Sequence, residues 1–126
     1  MEKSNKPFIK TMIASFGFAI VGIQKLVTER NFRIHGIAGV LAIVAGFYLS
    51  ISLIEWCIVV IVIGLVLTAE AFNSAIEEVC NRITLDEDPS IKRIKDISAA
   101  AVLLLAIAAA IVGTFIFLPK IVSLVN

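Results

Sequence analysis

One carboxylate, that of Glu70, lies deep inside an apolar part of the chain. Residues 56–76 contain no other charged side chain. A charged residue at the centre of a membrane helix costs from about 2.5–3.5 kcal/mol upward, and such residues usually face water or protein and serve a function. We therefore interpret Glu70 as a functional residue that could act as a general base.

Four more polar residues follow Glu70 at helical spacing. At about 100° per residue, the five positions fall within a sector of roughly 100° on one helix face. The sequence therefore predicts a polar stripe on a hydrophobic helix, formed by Glu70, Asn73, Ser74, Glu77 and Asn81.

Two further carboxylates are expected near one membrane surface. Glu77 lies about 10 Å from Glu70 along the predicted helix, and Glu29 precedes the apolar segment that begins at Ile34. Two carboxylates, together with phosphate oxygens and water, form a typical Mg²⁺ site. This arrangement would place a metal near the surface and a base deeper in the membrane.

The composition indicates one membrane domain. The chain has 126 residues, of which 60% are hydrophobic, and its mean hydropathy of +1.02 is far above that of an ordinary soluble domain. The net charge of +1 argues against nucleic acid as a partner. Cys57 and Cys80 would be about 35 Å apart on one helix, which excludes a disulfide between them.

Three apolar segments are long enough to cross a bilayer, which takes about 20 residues. They are residues 34–54, 56–76 and 97–119. Residues 7–28 instead have a polar and an apolar face, which is typical of an amphipathic helix on the membrane interface; the alternative, a secretory signal, lacks a convincing cleavage site. We expect an all-α integral membrane protein in which residues 1–126 form one domain, with an N-terminal interfacial amphipathic helix and three transmembrane helices per subunit.

The basic residues predict the orientation in the membrane. Of the 11 Lys and Arg, six lie in residues 1–33 and four in residues 82–95, and the exception is Lys120. By the positive-inside rule, the N-terminus and the loop of residues 82–96 are cytoplasmic, while the short turn of residues 50–55, which has no positive charge, and the C-terminus face outward. Three helices could hardly shield Glu70 from lipid, so we also expect the protein to oligomerise.

Several polar residues have simpler interpretations. A polar stripe could serve only to hold membrane helices together. His35 is interpreted as an interfacial residue whose hydrogen-bonding groups have partners, rather than as a metal ligand, because the chain has no second His. Asp96 could cap the helix of the third apolar segment, and the acidic run at 86–88 could be no more than a soluble turn before Pro89.

Two motifs resemble the small prokaryotic diacylglycerol kinases: E-A-F-N-S-A-I-E-E-V-C-N-R-I at 70–83 and K-D-I-S-A-A-A-V-L at 95–103. Three segments look more like the undecaprenol kinase branch, namely T-E-R-N-F-R-I-H at 28–35, S-L-I-E-W at 52–56 and F-L-P-K-I at 117–121. The resemblance implies a homotrimer with active sites shared between subunits, in the bacterial cytoplasmic (inner) membrane. It also implies transfer of the γ-phosphate of ATP to a lipid hydroxyl, with Mg²⁺ as cofactor.

The same resemblance assigns roles to residues. Glu70 would be the proton acceptor, and Glu29 and Glu77 would be the magnesium ligands. The chain departs from the family pattern at Asn81, where Asp is usual, and at Asp88, where some relatives have His. Residues expected to bind ATP are Lys10, Asn73, Lys95 and Asp96 near the phosphates, and Asp86, Glu87 and Asp88 in the nucleotide-contacting loop.

The sequence therefore predicts an ATP-dependent kinase of a membrane lipid alcohol. Undecaprenol and diacylglycerol are both candidate substrates, and the branch-like segments favour undecaprenol. One alternative is a small proton-coupled transporter in which Glu70 carries the proton, although this leaves Glu29 and Glu77 without a role. Another is an inactive family member that acts as a membrane scaffold. This alternative stays open because Asn81 replaces the usual Asp, so that one negative charge near the site is missing.

Overall fold

The computed structural model describes residues 8–125, which form four helices and no strand. Their bounds are α1 Phe8–Leu26, α2 Arg30–Tyr48, α3 Leu53–Ile83 and α4 Pro89–Val125. All four helices are long and apolar enough to cross a membrane. These observations confirm the all-α class. Residue 7, the predicted start of the first helix, lies outside the described residues.

The turn between α2 and α3 comprises residues 49–52, which overlap the predicted turn of residues 50–55, whereas the predicted apolar segment 34–54 extends beyond the end of α2. Ser50 adopts a φ of 48°, in the left-handed region, and reverses the chain. Ser52 then begins α3 with a reciprocal capping box between its side chain and that of Glu55. Hydropathy alone does not show where α2 ends, because Ile51 within the turn is apolar and buried.

The connection between α3 and α4 is shorter than the predicted loop of residues 82–96. It comprises only residues 84–88. Asp88 Oδ1 accepts hydrogen bonds from two backbone N–H groups of the first turn of α4, at 2.7 and 3.0 Å, and proline at the first helical position completes this start signal. The expectation that Asp96 caps a helix is wrong, since Asp96 lies inside α4, with Oδ2 2.6 Å from Lys92 Nζ.

Helix α3 lies between α2 and α4 and packs against both. At the end of the bundle near the α2–α3 turn, the buried core consists of Ile51, Val59 and Ile116. At the opposite end of α3, the buried side chains include Glu70 and Asn73. The packing is therefore apolar at one end of the bundle and partly polar at the other.

Helix α1 is packed differently from the other three. None of its residues is buried, and large apolar side chains such as Phe8 and Phe18 are 81% and 77% exposed. An apolar helix with no covered face is free to contact lipid or another subunit.

Candidate active site

The polar stripe lies on α3, and its deepest residues are buried. Glu70 is 3% exposed and Asn73 is 5% exposed. Asn73 Nδ2 donates a hydrogen bond to Glu77 Oε1 at 3.0 Å. Asn73 Oδ1 is buried without a hydrogen-bond partner among residues 8–125, so it is available to accept a hydrogen bond from water or from a ligand.

Glu29 reaches the same helix face from the start of α2. Glu29 occupies the N-cap position of α2, but its side chain makes no capping hydrogen bond. Its Oε2 instead accepts a hydrogen bond from Ser74 Oγ on α3. The short break before α2 therefore directs the Glu29 carboxylate towards the polar stripe.

The three predicted functional carboxylates line one cavity of about 230 Å³. Its lining residues are Glu29, Arg30, Asn31, Glu70, Asn73, Ser74 and Glu77. The spacing within the stripe predicted that Glu70 and Glu77 would share a face, and the fold adds Glu29 from another helix. An excess of carboxylates in one cavity favours a bound cation.

The donor set of this cavity fits Mg²⁺, which prefers oxygen ligands. Glu29 and Glu77 supply carboxylates, and hydrogen bonds from Ser74 and Asn73 orient them. Residues 8–125 contain no cluster of three or more His, Cys, Asp or Glu side chains arranged to hold a metal. A Mg²⁺ ion held by Glu29 and Glu77 would complete its coordination shell with phosphate and water, since Mg²⁺ is commonly bound through only one or two protein carboxylates.

The proximity of His35 to Glu70 was not predicted from the sequence. His35 Nε2 lies 3.4 Å from Glu70 Oε1, and the His35 side chain is 24% exposed. A signal was present, because α2 and α3 are joined by a tight turn and run antiparallel. His35 lies about 9 Å along α2 from Glu29, and Glu70 lies about 10 Å along α3 from Glu77, so the two are at matching depth.

Two further cavities lie near the carboxylate cavity. One, of about 290 Å³, is lined by Glu70, Asn73 and His35 together with apolar residues of α4 such as Ala106. The other, of about 280 Å³, shares His35 and Ala106 and is otherwise lined by small or apolar residues, including Gly39. Glu70 therefore lines both the carboxylate cavity and the second cavity, and His35 lines both the second cavity and the apolar one.

Lys95 contacts the end of the polar stripe. Its Nζ donates a hydrogen bond to Asn81 Oδ1 at 2.7 Å. The position that departs from the family pattern therefore contacts a residue predicted to bind phosphate. Lys95 and Asp96 do not line the carboxylate cavity.

The other residues predicted to bind ATP are dispersed in the described part of the chain. Asp86 and Glu87 are exposed in the connection before α4, Lys10 is exposed on α1, and Asp88 caps α4. None of these four lines the carboxylate cavity. The chain by itself therefore gathers the predicted base and metal ligands, but not the full set of predicted ATP contacts.

Comparison with known proteins decides the family. The family model described as prokaryotic diacylglycerol kinase matches residues 17–117. This chain belongs to that family. The match includes Glu29, Glu70 and Glu77, whereas Lys10 precedes it.

Relatives within the prokaryotic diacylglycerol kinase family carry two names. The undecaprenol kinase of Bacillus subtilis is 37% identical over 120 residues, which covers 94% of this chain and 98% of the relative. The diacylglycerol kinase of Synechocystis is 37% identical over 115 residues, covering 90% of this chain and 66% of the relative. The diacylglycerol kinase of Escherichia coli is 34% identical over 101 residues, covering 79% and 83% respectively. These matches confirm the family that the sequence motifs indicated.

Proposed function

We propose that this protein is an integral-membrane kinase that transfers the γ-phosphate of ATP to the hydroxyl of a lipid alcohol, either undecaprenol or diacylglycerol. The observation that carries the proposal is the cavity on which Glu29, Glu70 and Glu77 converge, in a chain whose relatives are named as kinases of these two lipids. Undecaprenol is our first candidate, since the undecaprenol kinase of Bacillus subtilis aligns over nearly its whole length with this chain.

In this proposal, Glu70 is the general base. The lipid hydroxyl oxygen attacks the γ-phosphorus of ATP and forms a new O–P bond, while the bond from phosphorus to the β,γ-bridging oxygen breaks and ADP leaves. The hydroxyl proton passes to the Glu70 carboxylate. Phosphoryl transfer depends mainly on positioning and charge stabilisation, and a buried carboxylate beside an apolar cavity suits a lipid acceptor.

Glu29 and Glu77 would hold the Mg²⁺ ion. When bound, Mg²⁺ supplies positive charge that neutralises the phosphate oxygens during transfer. Ser74 and Asn73 donate hydrogen bonds to the two carboxylates and so hold them in fixed orientations. The unpartnered Asn73 Oδ1 is left to accept a hydrogen bond from water around the metal or the phosphate.

We assign ATP binding to Lys95 and Asp96 near the phosphates, with Lys10 and the loop residues Asp86, Glu87 and Asp88 as further contacts. The partner of Lys95 supports its role, because the amide of Asn81 is neutral and leaves the ammonium charge available for phosphate. Asp88 would have to bind nucleotide without giving up its capping of α4.

The arrangement in the membrane follows from the same features. We propose that α1 lies on the interface while α2, α3 and α4 span the bilayer, with the N-terminus and residues 84–88 in the cytoplasm. The basic residues on the proposed cytoplasmic side and the absence of any buried residue in α1 support this. We further propose a homotrimer in the bacterial cytoplasmic membrane, in which neighbouring subunits supply the ATP contacts that one chain does not gather.

The test is phosphorylation of undecaprenol and of diacylglycerol by the purified protein in detergent, with ATP and with or without Mg²⁺. We expect Mg²⁺-dependent product with at least one lipid, and a loss of about 10²–10⁴-fold in Glu70→Gln. Glu78→Gln is the matched control, because Glu78 is exposed, pairs with Arg82 and adjoins the metal ligand Glu77 in sequence. It should retain the wild-type rate.

Two results would overturn parts of the proposal. Absence of Mg²⁺-dependent product with either lipid would refute the kinase function, and full activity of Glu70→Gln would refute the general base. Substrate-driven proton flux in liposomes without ATP would indicate the transporter instead. Nucleotide binding without turnover, even after Asn81→Asp, would indicate an inactive scaffold.

A further inference from the structure

The orientation of the Glu70 carboxylate is the feature that the proposed function leaves unexplained. A general base must present one oxygen to the hydroxyl whose proton it removes, within about 2.6–3.2 Å. Glu70 is almost completely buried, so its rotamer is fixed by neighbouring groups rather than by water. In residues 8–125, His35 is the only basic side chain within ion-pair distance of Glu70.

We infer that His35 positions the catalytic base: in the substrate complex its Nε2–H donates to Glu70 Oε1 and leaves the other carboxylate oxygen, Oε2, to face the lipid hydroxyl. This inference rests on the proposed function and adds a residue to it. The observed distance of 3.4 Å between Nε2 and Oε1 is slightly longer than a hydrogen bond. Contacts of this kind often tighten only when substrate is bound.

The surroundings of the pair support a donor role for His35. The charged groups that share a cavity with Glu70 are Glu29 and Glu77, which repel its charge, and Arg30 at the start of α2. Helix α4 contributes only apolar residues to the cavity that contains both Glu70 and His35. The other side chains that line this cavity with an N–H donor are Asn31 on α2 and Asn73 on α3. Asn73 Nδ2 already donates to Glu77, and His35 is the residue that approaches Glu70 Oε1, to 3.4 Å.

The position of His35 also fits a substrate path. Its side chain lines both the cavity that contains Glu70 and the apolar cavity that extends past Gly39. A lipid whose chain occupies the apolar cavity would bring its hydroxyl past His35 to reach Glu70. His35 therefore lies where it can hold the base without blocking the acceptor.

The test compares two His35 variants in the lipid kinase assay. His35→Leu keeps a similar volume but removes the donor, whereas His35→Gln keeps an N–H donor. A misplaced catalytic group can cost about 10²-fold, so we expect kcat to fall by about that factor in His35→Leu and to return to within a few-fold of wild type in His35→Gln. The KM for ATP should not change, since the proposed metal ligands are Glu29 and Glu77.

A double-mutant cycle shows whether His35 acts through Glu70. In the Glu70→Gln background, His35→Leu should cause no further loss, because the carboxylate that it positions is gone. Ile37→Ala is the control for truncation of an exposed α2 residue outside the cavities, and it should leave the rate unchanged. Circular dichroism and gel filtration identify any variant that does not fold, and His35→Ala then replaces His35→Leu.

Several outcomes would overturn the inference while leaving the kinase function intact. Wild-type kcat in His35→Leu would do so, as would a His35→Gln variant no better than His35→Leu. Additive losses in the double mutant, or a loss confined to the KM for ATP, would equally exclude positioning of Glu70. By contrast, a wild-type protein without lipid kinase activity would refute the proposed function itself.

Discussion

Replacement of Gly46 by Ala should destabilise the contact between α2 and α3. A Cβ atom at this position would lie 2.9 Å from Trp56 Cη2, 3.1 Å from Trp56 Cζ2 and 3.0 Å from Ile51 Cδ1. The indole cannot easily withdraw, because it also packs against the ring of Phe47, with 4.7 Å between ring centroids. The added methyl group would therefore strain the core at this end of the bundle.

Gly36 provides a matched control for the size of this effect. It lies on the same helix, and a Cβ there would meet nothing within 4 Å. The higher helix propensity of Ala should raise the free energy of unfolding of both variants by about 1 kcal/mol, so this contribution cancels when the two are compared. What remains is overpacking at Gly46, which typically costs 1–3 kcal/mol. We therefore expect Gly46→Ala to be less stable than Gly36→Ala by about 1–3 kcal/mol.

Thermal and denaturant unfolding in a single detergent, followed by circular dichroism, measures this difference. Trp56 is the only tryptophan in the chain, so its fluorescence reports the local contact independently. Equal stability of the two Ala variants would refute the close approach of α2 and α3 at Gly46. A shift in Trp56 emission confined to Gly46→Ala would support it.

Three smaller changes test other contacts. Ser74→Ala removes the hydrogen bond to Glu29 and should raise the Mg²⁺ concentration for half-maximal activity by about tenfold; an unchanged Mg²⁺ titration would contradict this role. Asp88→Ala removes the cap of α4 and should lower the free energy of unfolding by about 1 kcal/mol, whereas Asp88→Asn should unfold like wild type. Lys120→Gln removes an ion pair with Glu55, in which Nζ lies 3.2 Å from Oε2. Because both side chains are partly exposed, the midpoint of thermal unfolding should stay close to that of wild type, and a clear decrease would contradict this.

The elements of the fold that the sequence predicted are those with a strong local signal. The polar stripe from Glu70 to Asn81 could be predicted, because the helical period alone decides which residues share a face. The end of α2 could not, because the turn that contains Ser50 and Ile51 is as apolar as the helices it joins. The start of α4 has a local signal in Asp88 and the proline after it, whereas the predicted cap at Asp96 was wrong.

The site shows the same division between local and long-range contacts. The link from Asn73 to Glu77 lies within one helix, and the spacing predicted that the two would be neighbours. The link from Glu29 to Ser74 and the approach of His35 to Glu70 join residues of different helices. Such pairs depend on the register and rotation of α2 against α3, which periodicity within a single segment does not determine.

That register follows from four contacts spaced along the two helices. At the start of α2, Glu29 accepts a hydrogen bond from Ser74, and His35 lies within ion-pair distance of Glu70. Further along α2, Gly39 packs against Ile63 and Gly46 packs against Trp56. Each step towards the end of α2 is matched by a step back along α3, as a tight antiparallel hairpin requires. The glycine contacts at the apolar end therefore fix the rotation that brings Glu29 and His35 onto the stripe at the polar end. The depth of the proposed base and the position of the proposed metal ligands are thus set together by one helix pair, so ATP at the surface and a lipid hydroxyl in the bilayer can meet at a fixed separation.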